Sequence, residues 1–495
     1  MTRVLLVATY ELGHQPTNLA RHAALLAAAG HDVRTIDTSV EPWDPALATW
    51  ADAVAVSVPM HTATRLAADL LATVEVPTCC YGLYAHLCAD MADRVISGEY
   101  EPALVAWASR VAPGSLVGDD SYLPLTSSPA AADADDGHDA ALTSPRAVAT
   151  IELGRRRGRE AERAPLPQRE SLPPLSSYAH LLGGEGEARL AGSVETTRGC
   201  AHRCRHCPVP VVYDGRVRVQ DEASVLADVD QLVAAGAAHL SFGDPDFLNA
   251  PTHALRIVRA VHAAHPQVTF DATVKVEHVL AHRDLLAELA ASGCLFLVSA
   301  FESVDDATLE RLDKGHTAAD AAEAVGVLRA HGIDVRPSFL PFTPWTTREH
   351  LVALLDFVHE HDLVDRVDPV QYTIRLLLPP GSLLLDHPDM TPHLSEYDVD
   401  ALSYRWTNPD ASIDVLQRDL AALVEDLVGR DAPSTLIYSQ VRDTVGAPAV
   451  DLSRATTGGP RLSESWFCCA EPTSTQRRAV QFSPIQRIPT KAVTT

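Results

Sequence analysis

Short apolar runs alternate with amphipathic stretches twice along this chain, and that alternation constrains the fold more than any other feature. Residues 4–8, 53–57 and 78–81 are mainly apolar and 33–36 is bounded by Val33 and Ile36, and all four read as buried parallel strands. Helical stretches lie between them, the clearest running from Leu19 to Ala29 with Gly30 as a stop. Such β–α alternation predicts a doubly wound parallel sheet, an α/β fold whose ligand crevice lies beyond the carboxyl ends of the strands. Residues 10–14, 57–61, 81–84 and 98–101 would line that edge. The alternation resumes at residue 193, with strands expected at 193–197, 239–243, 268–276, 296–301, 335–340 and 370–377. A helix is expected from Ala411 to Val428, followed by an irregular tail.

These patterns divide the chain into residues 1–111, a linker at 112–190, a core at 191–390 and an extension at 391–495. The linker is rich in Ala, Asp, Pro, Ser and Arg, too polar to order itself as a unit. Its end, from Leu172 to Tyr178, is expected to pack on the core. At 495 residues, two to three domains are expected. The formal charge of −25 disfavours nucleic-acid partners, which need Lys and Arg against phosphate. The run Gly154-Arg-Arg-Arg-Gly-Arg159 is the basic exception and reads as a solvated patch. No 18-residue apolar run is long enough to span a membrane, and Met1-Thr-Arg enters a strand without a signal-peptide layout. A cytoplasmic setting follows as the expectation, and nine cysteines, three of them clustered, fit a reducing compartment with a metal site.

The cluster is Cys200-Ala-His-Arg-Cys204-Arg-His-Cys207, set just after the strand expected at 193–197. Three thiolates in one short loop can hold three irons of a [4Fe–4S] cube, leaving the fourth open to a small molecule. An open iron points to an enzyme more than to an electron carrier. The competing reading is a structural zinc with His202 or His206 as fourth ligand, although such ligands usually come as two separated pairs. The C-x3-C-x2-C spacing resembles the signature of the radical S-adenosylmethionine (SAM) superfamily. The resemblance implies an open partial (β/α)6 barrel, a [4Fe–4S] cluster, SAM bound at the open iron and a flavodoxin- or ferredoxin-type electron donor. His206 departs from the pattern, which usually has an aromatic residue before the last cysteine.

The same resemblance carries over to further residues. Phe242-Gly-Asp-Pro-Asp246 stands where a motif accepting from the SAM ammonium is expected, which makes Asp244 or Asp246 a candidate acceptor. A turn rich in Asp and Pro explains either residue equally well. Glu302 and Ser303 match the segment that contacts the SAM ribose and carboxylate, and residues 312–317 are again similar. Arg375 is a candidate carboxylate clamp, since its planar fork suits bidentate pairing. Lys275 and Glu277 would share one face if the third strand runs to its expected end, and Asp271 places a charge in the same buried strand. Residues 1–111 resemble the cobalamin-binding domains that precede many radical SAM cores. The Asp-x-His-x-x-Gly motif for a cobalt-ligating histidine is absent, and His14 lies in the right loop with different neighbours. Cobalamin bound without histidine ligation and a repurposed sheet are both consistent with this.

Near the end comes Trp466-Phe-Cys468-Cys469-Ala-Glu-Pro472. Adjacent thiols in a loop-like acidic tail have little packing value but suit soft, thiophilic partners. The tail is similar to that of a radical SAM family named for its Cys/selenocysteine-Cys-Ala-Glu-Pro ending. Its relationship to a sister family linked to C–As bond formation implies that Cys468 and Cys469 present a small thiophilic substrate to the cluster. Two alternatives stand beside that expectation: a cobalamin-dependent radical SAM methyltransferase and a non-catalytic metal- or redox-sensing protein.

Overall fold

The computed structural model describes residues 1–98, 100–111, 149–150, 165–183 and 188–464. The basic run at 154–159 and the Cys468–Cys469 pair lie outside them.

The first unit is built from β1 (Arg3–Ala8), α1 (Thr17–Ala28), β2 (Asp32–Asp37), α2 (Pro45–Trp50), β3 (Ala53–Ser57), α3 (His61–Leu71), β4 (Thr78–Tyr81), β5 (Arg94–Ser97), α4 (Glu101–Arg110) and β6 (Ala149–Thr150). The strands form one parallel sheet in the order β2-β1-β3-β4-β5-β6. Every residue of β3 is buried, which explains its unbroken apolar run. The four expected strands are present. β5 and β6 were not anticipated. The order reverses between β1 and β3, and this is where a doubly wound sheet opens a crevice.

The expected linker is partly a packed strap. Over residues 165–183, Leu172, Leu175, Tyr178 and Leu181 are buried. Arg169, also buried, bonds both carboxylate oxygens of Asp228 at 2.6 and 2.8 Å and donates to Gln15, Thr17 and the Ser193 carbonyl. One guanidinium thus ties the strap to both units. The strap ends in β7 (His180–Leu182), antiparallel to β8 (Arg189–Val194).

The second unit continues through β9 (Thr197–Gly199), α5 (Val209–Tyr213), β10 (Val217–Val219), α6 (Glu222–Ala234), β11 (His239–Phe242), α7 (Pro251–Ala264), β12 (Thr269–Thr273), α8 (Val276–Ala281), α9 (Leu286–Ala291), β13 (Cys294–Glu302), α10 (Asp306–Leu312), α11 (Ala318–Ala330), β14 (Asp334–Phe339) and α12 (Arg348–Glu360). β8, β11, β12, β13 and β14 are successive parallel neighbours, the wall of a half-barrel. Two expectations change here. The sixth strand, 370–377, is a helical turn (Pro369–Tyr372) followed by a single parallel bridge from Arg375 to Phe342. The third strand stops at Thr273, so Lys275 and Glu277 lie at the start of α8 and not on one strand face.

A hairpin of β15 (Leu394–Asp398) and β16 (Ser403–Trp406) follows, then α13 (Ala411–Gly429), α14 (Ser434–Val445) and β17 (Arg461–Leu462). Ile413, Leu416 and Leu420 of α13 and Ile437 and Val441 of α14 join the barrel core, so this extension completes it. β17 pairs antiparallel with β7 and brings the chain back to the barrel edge. Among the described residues no helix is long and apolar enough to cross a membrane.

Candidate active site

A cavity of about 350 Å³ lies between the crevice edge of the first sheet and the mouth of the half-barrel. Glu11, Leu12, His14, Pro59 and Met60 face it from the loops after β1 and β3, and Leu83 and Tyr84 from the loop after β4. Cys200, Cys204 and Cys207 line the opposite wall. Cys200 and Cys204 are buried and Cys207 is half-buried.

Local structure fixes the cysteine loop. Gly199 precedes it at φ +74°, and a Cβ there would lie 2.2 Å from the Arg216 carbonyl, so the turn demands glycine. The Cys207 amide donates to the Cys204 carbonyl, and the Arg205 amide donates to the Leu312 carbonyl at 2.9 Å. Asp244, after β11, braces the approach: its carboxylate accepts from the amides of Thr196 and Thr197 and from the Thr196 hydroxyl. Burial outweighs those three donors and pushes Asp244 up to about 7.

Glu302 ends β13 in the left-handed region at φ +63°, where the register with β14 shifts. A non-glycine residue held there is strained, and such strain concentrates at functional sites. Its Oε1 lies 3.1 Å from His206 Nε2 and 3.3 Å from Lys314 Nζ. Burial pushes this carboxyl up, but Lys314 and His206 outweigh it and hold it at about 2. Deeper in the barrel, Asp271 takes 2.9 Å and 2.6 Å bonds with His239 and Ser241, and Arg336 reaches Asp368 at 2.8 Å. Burial lowers His14, which faces Asp271 and His239 from across the cavity.

The structure thus brings Cys200, Cys204, Cys207, Asp244 and Glu302 to one cavity and leaves three expected residues outside its lining. Asp246 is turned away, beside His278 and His202. The Ser303 hydroxyl accepts from the Asp305 amide at the entry to α10. Arg375 pairs with Asp414 at 2.5 Å and with the Trp406 carbonyl, its guanidinium 3.5 Å over the Trp406 ring. Arg375 therefore lies outside the cavity lining, with Nη1 and Nη2 each engaged elsewhere. His206 is engaged by Glu302 and His202 does not line the cavity with the three thiols, which weakens the reading of a zinc held by the cysteines and one of these histidines. Lys314 lay within the segment 312–317 singled out in the sequence but was given no role, and Arg336, Asp368 and Glu464 were missed. For Arg336 the signal was a charge inside an apolar strand; for Glu464 there was none.

Glu464 reaches the cavity directly after β17 and accepts from the Tyr10 hydroxyl at 2.7 Å. It packs over Gly13, at φ +71°, where a Cβ would lie 2.8 Å from the Glu464 side chain. Burial pushes this carboxyl up, against the Tyr10 bond.

Residues 194–358 match the Radical SAM superfamily, a segment that holds the three cysteines and the whole parallel wall from β11 to β14. The chain carries a radical SAM domain over that third of its length. Its cofactors are accordingly a [4Fe–4S] cluster and SAM, and three cavity-facing thiols are the donor set such a cluster takes. Among curated relatives, an uncharacterised methyltransferase of Pyrococcus horikoshii is 25% identical over 213 residues, 42% of this chain and 45% of that protein. The chain therefore matches less than half of that relative's length. Two solved structures align over both units. The radical SAM methyltransferase TsrM of Kitasatospora setae, with tryptophan and a SAM analogue bound, is 19% identical with a TM-score of 0.54, covering 78% of this chain and 75% of that one. The cobalamin-dependent radical SAM enzyme OxsB, with aqua-cobalamin bound, is 14% identical with a TM-score of 0.61, covering 87% and 67%. These two likenesses are of fold.

Proposed function

We propose that this chain is a cobalamin-dependent radical SAM enzyme that transfers a methyl group to a small molecule. The observation that carries the reading is the shared cavity: the crevice edge of a cobalamin-binding-like sheet and three cluster-type thiols face the same space. The edge fits a corrinoid in its chemistry. It is largely neutral and part apolar, and Glu11 Oε1 and Ser97 Oγ are buried there without a partner, ready to meet amide groups of a ligand. When bound, the cluster supplies an electron for SAM cleavage and cobalamin a carrier for the methyl group.

The protein's own residues bind and orient. Cys200, Cys204 and Cys207 hold the cluster. Glu302, kept ionised by Lys314 and His206, accepts hydrogen bonds from the polar end of SAM, and Asp244 fixes the loop that places the cysteines. Asp271, with His239 and Ser241 behind it, and Arg336 with Asp368 offer polar contacts to a substrate. The electron comes from an external flavodoxin- or ferredoxin-type donor.

A second reading keeps the tail as the substrate carrier. Its support is the position of Glu464 in the cavity, because Cys468 follows four residues later and four residues span at most about 14 Å. In that reading Cys468 and Cys469 present a thiophilic substrate, such as trivalent arsenic, to the cluster.

Anaerobic protein reconstituted with iron, sulfide and hydroxocobalamin tests both. Methyl transfer predicts stoichiometric corrinoid absorbance, and S-adenosylhomocysteine formed together with 5′-deoxyadenosine. Methylthioadenosine as the SAM product, with no corrinoid retained, would overturn it in favour of the tail reading. Replacing any of Cys200, Cys204 or Cys207 by Ala is expected to abolish SAM cleavage in either case.

A further inference from the structure

On the face of the cysteine loop turned away from the cavity, three side chains from three separate segments converge. His202 comes from the loop itself, Asp246 from the turn after β11, and His278 from α8. Their ligating atoms all lie within 4.8 Å of one another. His202 Nε2 is 3.3 Å from His278 Nε2 and 3.8 Å from Asp246 Oδ2. None of the three lines the cavity.

The decisive detail is the contact between Asp246 Oδ2 and His278 Nδ1. The two atoms lie 2.7 Å apart, yet both are buried without a hydrogen-bond partner, so they are not aligned on each other. Asp246 is completely buried, and its other oxygen is spent on the Leu248 amide at 3.1 Å. A buried carboxylate oxygen with no donor is costly. Ligand atoms about 2.0–2.1 Å from a shared metal stand about 2.9–3.4 Å apart in octahedral or tetrahedral geometry, and one ligand atom from each of the three side chains lies within 4.8 Å of the other two, so small side-chain adjustments bring them to one ion. His202 also shows the outer carboxylate usual for a metal-bound imidazole, because its Nδ1 is 3.6 Å from Glu277 Oε2. The nearby Lys275 ammonium is paired with Glu277 at 3.4 Å.

The geometry points to a second metal site: His202, Asp246 and His278 bind one borderline divalent cation, zinc or ferrous iron, outside the cluster cavity. Two imidazoles and a carboxylate with open positions are the donor set these ions take. The ion ties the cysteine loop to the ends of β11 and β12, which is a positioning role, and it is independent of the reaction proposed above.

Cobalt(II) is the probe. Cluster-loaded full-length protein carrying C468S and C469S, so that the tail thiols are silent, is titrated and its bound cobalt counted beside its iron. The expected result is about one equivalent of cobalt, with d–d absorption lacking thiolate charge transfer and displaceable by zinc. His278→Ala is expected to weaken binding at least ~10-fold while retaining the cluster iron. His202→Asn serves as the second variant should His278→Ala lose its fold. No stoichiometric cobalt in the parent protein, or unchanged affinity in the folded variants, overturns the site and leaves only a hydrogen-bonded brace.

Discussion

The two sheets present their carboxyl edges to one cavity, and the balance between paired and burial-neutralised ionisable groups differs between them. On the barrel side charge is held by pairing: Glu302 sits between Lys314 and His206, and Arg336 meets Asp368. On the N-terminal side burial suppresses charge at Glu11, Asp37 and His22, as it does at Asp244 on the barrel side. Burial pushes Glu11 well above the usual carboxylate range, with Asp37 adding to it, and Asp37 itself is pushed up to about 6. His22 is lowered by burial to about 3. The barrel edge is therefore built to meet a charged molecule such as SAM.

The pairing side breaks most expensively. Arg169→Met leaves Asp228 buried and unpaired between the strap and α6, and removes the donors that Gln15 and the Ser193 carbonyl now use. Losing one partner of a buried pair costs about 3–5 kcal/mol. The urea midpoint should fall accordingly, with the two units separating first in limited proteolysis. A loss under ~1 kcal/mol would mean that water reaches this pair and that the contrast between the two sides is overstated.

The next test addresses suppression by burial. The folded pKa of Asp37, about 6, exceeds the ordinary carboxylate value, so between roughly pH 4 and 6 the native state binds the extra proton. Stability should fall as pH rises through that window. Asp37→Asn keeps an oxygen for the Ser39 amide and hydroxyl and cannot ionise. It should remove this slope and stabilise the protein at pH 7 by ~2 kcal/mol, read from chemical denaturation at several pH values. An unchanged slope would show that Asp37 ionises freely and that the edge is not neutral.

Much of this arrangement was legible in the sequence, for stateable reasons. Fully apolar runs such as 53–57 give their strands away, and the spacing of Cys200, Cys204 and Cys207 carries ligand chemistry in itself. What escaped depends on tertiary contact. Arg375 looked like a clamp because a lone arginine near a strand end gives no hint of Asp414 or of the Trp406 ring. Residues 268–276 read as one strand because Val274 and Val276 remain apolar after the backbone turns into α8. Arg169 read as linker because a polar, proline-rich context gives no sign of its buried partner. Asp246 was grouped with Asp244 by proximity, although their side chains meet different partners: Thr196 and Thr197 for one, the histidine pair for the other.

The smallest expected effect concerns His22, and its sign opposes that of Asp37. His22 is fully buried beneath the N-terminal sheet, its ring edge-on to Tyr81 and Tyr100 at 4.9 and 5.1 Å, and neither ring nitrogen has a partner. Its folded pKa, about 3, lies below the ordinary histidine value, so between roughly pH 3 and 6.5 the unfolded chain binds the extra proton. The stability it supports is present above pH 6.5 and drains away as pH falls, partly masking the Asp37 slope in the same window. His22→Phe keeps the aromatic packing and removes two unsatisfied nitrogens, each of which costs on the order of 1 kcal/mol. In corrinoid-free protein it should therefore stabilise at pH 7 by ~1 kcal/mol and steepen the decline in stability between pH 4 and 6. Combining it with Asp37→Asn should leave that region nearly flat. If His22→Phe instead destabilises at pH 7 or weakens corrinoid retention, the imidazole has a partner in the working protein, and the N-terminal edge recognises its ligand by a directed bond as the barrel edge does.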